Sequence, residues 1–288
     1  MVARIDRDGN IVRDLETGPL IGSIEEVSSP SLISFLPDSL KAAGVTRRVL
    51  VLQWVLFVIS CFVPPVGYVE PSSLALLRIG SDSRSFLQCA ACGYVLEIRR
   101  LLFPIFMHSG VAHILMNTLF QIYTCAEFEA LLGSKSFIVQ YIGAGIFGNL
   151  CYAMYGESGV GASGACYGLL GAGAMRLYIS WPSMEPVSRE NAKSVMLRQA
   201  AILVFLELVA WNSVAHGAHI GGLISGACIY AVLTGSSSTT PREISLVRYC
   251  RAGLSAIAFV ALSFIIYPVT MNFRKICVEC ESLMSIYR

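Results

Sequence analysis

A serine and a histidine lie in two of the most apolar parts of this 288-residue sequence. Ser163 belongs to the segment Gly-Ala-Ser-Gly at 161–164, and His219 belongs to Ala-His-Ile-Gly-Gly at 218–222. A hydroxyl and an imidazole are costly to place in hydrocarbon, so each indicates a functional site. Because a neutral imidazole can take the proton of a serine near pH 7, the pair has the parts of a nucleophile and its base.

Two further polar side chains, His113 and Asn117, are four residues apart and therefore share one face of a helix. Both can donate a hydrogen bond to the negative charge that develops during acyl transfer, as can the backbone N–H of Ser163. His108 lies just before this helix. We expect it to order the loop rather than to take part in the chemistry.

An acid that orients the histidine would complete a catalytic triad. No aspartate follows Asp82, and Glu207 is the one acid well inside a later apolar segment. Glu207 as the orienting acid is the less favoured alternative; we interpret it as a packing or cavity-facing residue, so the sequence favours a dyad of Ser163 and His219. Tyr167 follows Ser163 by one turn on the same face, and we expect it to hold the imidazole by stacking or by a hydrogen bond.

The four histidines fall in two clusters, His108 with His113 and His216 with His219. Imidazole is a common zinc ligand, so a metal site is an alternative. However, no His-Glu-x-x-His motif is present to supply ligands together with a general base, and we predict neither a metal nor an organic cofactor. His216 is the alternative to His219 as the base, at a position closer to water.

The composition predicts a membrane protein. The chain is 55% hydrophobic and only 14% charged, whereas soluble domains carry about 25% charged residues. Charge-poor runs approach the ~20 residues that cross a bilayer, and such spans must be helices or a closed barrel. Because no period-2 alternation occurs, we predict an all-α polytopic membrane protein.

We predict seven transmembrane helices, six in a bundle and a seventh after a Ser/Thr-rich loop at 235–240. The first 47 residues mix both charges and lack an apolar core, which argues against a cleaved signal peptide. The expected organisation is a cytosolic, disordered tail (1–47), one membrane domain (48–272) and a short non-cytosolic tail (273–288). The approximate spans are 49–69, 113–132, 135–154, 161–179, 195–212, 216–234 and 252–271.

Lysine and arginine are more numerous on the side of the N-terminus, which predicts a cytosolic N-terminus. The second, fourth and sixth spans then all begin at the non-cytosolic face. His113, Ser163 and His219 lie near those three starts, so they are expected at similar shallow depths. Small residues spaced by four also let the fourth and sixth helices approach closely; they are Gly164, Gly168, Gly171, Gly222 and Gly226.

The motifs His-x4-His-x3-Asn, Gly-Ala-Ser-Gly-Ala and Ala-His-Ile-Gly-Gly, in this order and on these spans, resemble those of the rhomboid intramembrane serine proteases. The resemblance covers about 97–230. It implies Ser163 as nucleophile, His219 as base, and His113 with Asn117 as oxyanion donors. Supporting positions are implied for Tyr167, His108, Gly161 and Gly164, and a structural role for Glu129 and Gly133.

Two details bear on this resemblance. Inactive members of the family tend to lose the serine or to carry proline just before it, whereas Ala162 precedes an intact Ser163 here. The family's first loop often reads Glu-x-Trp-Arg, but this chain has Glu-Ile-Arg-Arg at 97–100. That difference concerns how the loop sits in the membrane and not the chemistry.

The resemblance implies an endopeptidase that cleaves single-pass, membrane-anchored proteins in or near their transmembrane helices, close to the non-cytosolic face. The layout of six helices plus one resembles the branch of the secretory pathway, so we expect a secretory-pathway or plasma membrane. No basic cluster with interleaved aromatics occurs, so nucleic acid is not an expected partner. The alternatives are a non-catalytic rhomboid-like protein that binds or escorts clients, and a transporter.

Four of the ten cysteines lie in segments that are predicted to be non-cytosolic. They form two pairs, Cys89 with Cys92 and Cys277 with Cys280. Because that compartment is oxidising, we expect disulfides within or between these pairs. A four-cysteine zinc site is the alternative.

Overall fold

The computed structural model describes residues 4–5, 11–12, 38–154, 158–209, 215–235 and 240–287, and the chain divides into two compact units. In the first unit, Met1–Leu36, strands β1 (Arg4–Ile5) and β2 (Ile11–Val12) pair antiparallel. Apart from these two strands, residues 1–37 of the predicted disordered tail lie outside the described residues.

The second unit consists of helices, which confirms the predicted all-α class for the described part of this unit. Short 3₁₀ turns at Ala90–Cys92, Val95–Leu101, Phe103–Phe106, Trp181–Ser183 and Met284–Tyr287 connect several of them. The α-helices in the described residues are α1 (Asp38–Ala42), α2 (Gly44–Phe62), α3 (Ser73–Ile79), α4 (Arg84–Cys89), α5 (Val111–Phe120), α6 (Ala126–Leu132), α7 (Ser134–Tyr152), α8 (Ser163–Ser180), α9 (Pro186–Val209), α10 (His216–Thr234), α11 (Pro241–Met271) and α12 (Phe273–Leu283).

Each predicted span overlaps a helical segment, namely α2, α5 to α6, α7, α8, α9, α10 and α11 in turn. By length and composition, α2, α10 and α11 are long and apolar enough to cross a membrane. The second span contains a π-helical turn at Gln121–Cys125 between α5 and α6. The first span ends at Phe62 and not at 69, because Pro64 and Pro65 follow and residues before a proline disfavour the α conformation.

Helices α7, α8 and α10 pack along a seam of small residues. A Cβ atom on Gly226 would lie 2.1 Å from the carbonyl oxygen of Gly168, and one on Gly222 would lie 2.1 Å from that of Gly164. A Cβ on Gly168 would lie 2.2 Å from the Cβ of Ala144 on α7. The backbones therefore touch, as the spacing of small residues predicts for helices in lipid.

At the end of the bundle away from Ser163, Glu129 joins α6 to the start of α2. Its carboxylate accepts hydrogen bonds from the backbone N–H groups of Val45 (2.9 Å) and Thr46 (2.8 Å). A carboxylate is stabilised there because the first N–H groups of a helix have no partner within it. Gly133 ends α6 with a φ of +73°, so α7 can begin directly afterwards.

The segment 63–110, which we call loop 1, is held by the C-terminal part of the chain. Two disulfides, Cys89–Cys280 and Cys92–Cys277, join loop 1 to α12. The cysteines are thus paired between the two motifs and not within them, and they are not free to bind zinc. We call α12 and the turn Met284–Tyr287 the C-terminal clasp.

Loop 1 also contacts α11 near Pro268. Proline has no N–H, so the carbonyl of Phe264, four residues earlier, lacks its usual helical partner. Arg84 of α4 donates to that carbonyl at 2.8 Å, and Gln88 donates to the next one, of Ile265, at 3.0 Å. The proline therefore creates an acceptor site that fixes α4 against α11.

Candidate active site

Ser163 and His219 meet at the starts of two helices. Ser163 is the first residue of α8 and His219 lies in the first turn of α10. The Nε2 atom of His219 is 2.7 Å from the Oγ atom of Ser163. The glycine seam brings the two helices close enough for this short side chain to reach the buried imidazole. The predicted pair is therefore within hydrogen-bonding distance.

The imidazole of His219 is stacked on Tyr167. The two rings are 4.3 Å apart between centroids and nearly parallel, at 10°. The Tyr167 hydroxyl bonds to the Glu207 Oε2 atom at 2.9 Å and to the Leu203 carbonyl at 3.1 Å. Tyr167 thus fixes the plane of the ring and also connects α8 to α9.

Glu207 contacts the imidazole, which corrects the interpretation of this residue as a packing group. Its Oε2 atom is 2.5 Å from Nδ1 of His219, and its Oε1 atom bonds to Nδ1 of His216. His216 therefore binds the carboxylate, while His219 is the imidazole that contacts Ser163. The signal was present in the sequence, since a single acid in an otherwise apolar span is itself a sign of function.

His113 and Asn117 lie one turn apart on α5, and the ring of His113 is close to the serine. A Cβ atom on Gly161 would lie 2.8 Å from Nε2 of His113 and 3.6 Å from Oγ of Ser163, so the ring adjoins the segment before α8. The Nδ1 atom of His113 is 3.1 Å from the Ser109 hydroxyl. With that hydroxyl donating to Nδ1, Nε2 carries the ring proton and can serve as a donor.

The side chain of Asn117 is buried and donates one hydrogen bond from Nδ2 to the His113 carbonyl, at 3.0 Å. An amide nitrogen has two hydrogens, so a second one is left for another acceptor. The backbone N–H of Ser163 is among the first of α8, which have no acceptor within their own helix. His113, Asn117 and the Ser163 N–H are thus donors of the kind that bind an oxyanion, and the ring of His113 adjoins the segment before the serine.

His108 supports the position of His113. It is buried, and its ring makes an edge contact with His113 at 5.1 Å between centroids. Neither ring nitrogen has a hydrogen-bond partner among the residues that the structure describes. Burial lowers the pKa of His108 well below its usual range, so the ring is neutral near pH 7.

The two glycines beside Ser163 have different structural roles. Gly161 has a φ of +135°, a conformation that L side chains rarely adopt, and its N–H donates to the Pro104 carbonyl at 2.8 Å. Gly164 lies against the backbone of α10, where a Cβ would be 3.3 Å from the Ala218 carbonyl oxygen.

Among the described residues, no group of three or more His, Cys, Asp and Glu side chains has an arrangement that could hold a metal ion. The side-chain hydrogen bonds link Glu207 to His219 and His219 to Ser163, and hydrogen-bond donors lie beside the Ser163 hydroxyl. This arrangement can activate an alcohol for attack on a carbonyl and can stabilise the resulting oxyanion.

The Rhomboid domain family matches residues 96–236. Inactive rhomboid protein 2 of Homo sapiens is 31% identical over 60% of this chain and 21% of its own length. Rhomboid-like protease 3 of Toxoplasma gondii is 24% identical over 73% of this chain and 77% of its own. Rhomboid protease GluP of Bacillus subtilis (strain 168) is 32% identical over 46% of this chain and 26% of its own. The chain thus spans about a fifth to a quarter of two of these three relatives.

Proposed function

Since this chain is a member of the rhomboid family, we propose that it is an intramembrane serine endopeptidase. The observation that carries the proposal is the 2.7 Å contact between the Ser163 hydroxyl and Nε2 of His219. A serine is a weak nucleophile until a base takes its proton, and this distance is that of a hydrogen bond.

In the proposed reaction, Ser163 Oγ attacks the carbonyl carbon of the scissile peptide bond while His219 Nε2 takes the hydroxyl proton. The oxyanion of the tetrahedral intermediate accepts hydrogen bonds from His113, Asn117 and the Ser163 N–H. The C–N bond then breaks, and His219 gives its proton to the leaving amine. An acyl-enzyme on Ser163 remains.

Water completes the cycle. It attacks the acyl carbon while His219 takes one of its protons, and collapse of the second tetrahedral intermediate returns the proton to Ser163 and releases the carboxyl product. Water must reach the serine from the adjoining face of the membrane. Ser163 and His219 both lie in the first turn of their helices, and the loop that precedes α8 contacts loop 1.

The proposed substrates are single-pass membrane proteins, cut in or near a transmembrane helix with small residues at the cut. The membrane proposed is that of the secretory pathway or the cell surface, with a cytosolic N-terminus. Two disulfides support this orientation, because disulfides persist in oxidising compartments. The disulfides hold loop 1, and loop 1 pairs with the segment before Ser163 through Asp82 and Gly159. The disulfides therefore lie on the same face of the protein as the proposed active site.

A non-catalytic role in binding or escorting clients is the second candidate. The observation in its favour is the 31% identity to inactive rhomboid protein 2. The intact hydroxyl and imidazole at 2.7 Å favour the protease.

Labelling by a serine-directed fluorophosphonate separates the two candidates. We expect the purified protein in detergent to be labelled, and Ser163→Ala to lose the label because it removes the nucleophile. Ser225→Ala is the matched control, since that buried serine of α10 donates to the Gly222 carbonyl away from His219. The same variants are then tested for cleavage of a panel of single-pass membrane proteins. A folded, unlabelled wild-type protein would favour the non-catalytic candidate.

A further inference from the structure

The Glu207 carboxylate contacts three side chains, and one of them is His219 of the proposed catalytic pair. Its Oε2 atom is 2.5 Å from Nδ1 of His219 and 2.9 Å from the Tyr167 hydroxyl, and its Oε1 atom bonds to His216. The carboxylate therefore lies on the side of the His219 ring opposite to Ser163. Glu207, His219 and Ser163 come from α9, α10 and α8, so three separate helices converge on one row of hydrogen bonds.

The contact with Nδ1 decides which nitrogen of His219 carries the proton. A carboxylate accepts hydrogen bonds but cannot donate them, so it holds the proton of the neutral ring on Nδ1. The lone pair of Nε2 then faces the Ser163 hydroxyl, which is the arrangement that a general base requires. When the ring gains the serine proton, the neighbouring negative charge also stabilises the imidazolium.

The surroundings hold Glu207 in this orientation. Its described neighbours in the sequence, Phe205 and Leu208, are apolar, so an ionised carboxylate is costly in this segment unless it is bound by polar partners. His216 binds one oxygen and Tyr167 binds the other, which leaves Oε2 directed at His219. Packing alone does not require a carboxylate in this position, because a leucine would fill similar space without the cost of desolvation.

We propose that Glu207 is a positioning residue which turns the pair of Ser163 and His219 into a Ser–His–Glu triad, with His216 and Tyr167 holding its carboxylate. This inference rests on the proposed protease function. Glu207 acts through His219 and touches no substrate atom.

The experiment compares Glu207→Gln with the wild type in cleavage of a membrane-anchored substrate. Glutamine keeps the shape but offers an N–H to Nδ1, so the ring can adopt the wrong tautomer. We expect kcat to fall on the order of 10²–10⁴-fold, with KM changed by less than about threefold. Glu190→Gln is the matched control, because it makes the same change in an exposed part of α9, near Lys193, and leaves kcat unaltered.

Two further variants separate positioning from folding. Glu207→Asp restores a carboxylate and should recover at least about tenfold in kcat over glutamine, which corresponds to 1.4 kcal/mol. In a His219→Ala background, Glu207→Gln should change the residual rate by less than about threefold, because residues that act as a unit are not additive. Thermal unfolding in detergent is measured for every variant.

Three results would overturn the triad: a kcat for Glu207→Gln within about threefold of wild type, an equal loss in both His219 backgrounds, or aspartate and glutamine variants that are equally slow and equally unstable. These outcomes leave the protease function intact. Retention of cleavage by Ser163→Ala would instead contradict the protease function itself, so the two failures are distinguishable.

Discussion

Gly161 determines how closely His113 approaches the Ser163 hydroxyl. Its φ of +135° turns the chain into α8, and its missing side chain leaves room for the imidazole of His113. The N–H of Gly161 also binds the Pro104 carbonyl in loop 1. One residue thus connects the nucleophile, the proposed oxyanion donor and loop 1.

We predict that Gly161→Ala lowers kcat at least about tenfold and destabilises the fold by about 1–3 kcal/mol, the strain typical of an L residue in such a conformation. The added Cβ would lie 2.8 Å from Nε2 of His113, so that ring must shift away from the oxyanion position. Cleavage rate and thermal unfolding check this.

Gly253→Ala on α11 is the control, because nothing lies within 4 Å of its added Cβ. Alanine there should leave activity unchanged and stabilise the helix slightly, since glycine costs roughly 0.5–1 kcal/mol relative to alanine inside a helix. Full activity of Gly161→Ala would contradict the role that we assign to the close approach of His113.

At the scale of elements, the C-terminal clasp holds loop 1 through side chains as well as disulfides. The Tyr287 hydroxyl accepts from Arg99 at 2.7 Å and from Arg100 at 2.6 Å. Arg100 is fully buried, pairs with Glu97 and lies over the ring of Phe86. Arg99, which stands where the family often has an aromatic residue, therefore binds the clasp.

The clasp is coupled to the active site by short connections. Asp82 and Gly159 exchange backbone hydrogen bonds of 2.9 Å and 3.1 Å, and Gly159 lies just before the turn into α8. Loop 1 also supplies the Pro104 carbonyl to Gly161. Release of loop 1 would therefore loosen the segment that presents Ser163.

We predict that replacing Cys89 and Cys280 together by serine destabilises the protein by about 2–5 kcal/mol, the usual effect of removing a native disulfide. Cleavage should slow as loop 1 is freed. Thermal unfolding and cleavage rate are measured on the oxidised protein. Cys151→Ser is the control, because that cysteine is free. Unchanged thermal stability in the double variant would show that this disulfide of the clasp does not stabilise the protein.

At the scale of the whole bundle, the two ends differ in chemistry. One end holds Glu129, the start of α2 and the turn between α8 and α9. The other holds loop 1, the disulfides and the starts of α8 and α10. The prediction of a cytosolic N-terminus, from the distribution of lysine and arginine, places the disulfides in the oxidising compartment.

Two cysteine variants of similar exposure test this orientation. Val69, in loop 1, is 70% exposed and Val187, at the start of α9, is 73% exposed. With a membrane-impermeant maleimide added from the non-cytosolic side, we expect Val69→Cys to be labelled and Val187→Cys to react only after permeabilisation. The unmodified chain is the control, because its free cysteines are buried or half-buried. The opposite labelling pattern would contradict the proposed orientation.

Sequence determined much of the bundle because the signals are local. Apolar runs fix where helices lie, since every buried backbone group in lipid must bond within its own segment. Glycines four residues apart fix which faces approach, and Gly168 against Gly226 bears this out. The proximity of Ser163 and His219 was predictable in the same way, because each residue lies at the start of a span and both spans begin at one face.

The tertiary structure alone decided the contacts that depend on helix rotation and on the path of loops. Glu207 lies in an apolar run without a distinct polar face, so hydropathy does not fix which way its side chain points, and the sequence was interpreted as a dyad. The pairing of Cys89 with Cys280 and of Cys92 with Cys277 depends on where α4 meets α12, nearly 200 residues later. Such contacts join distant segments, and their geometry is set by the packing of the whole molecule.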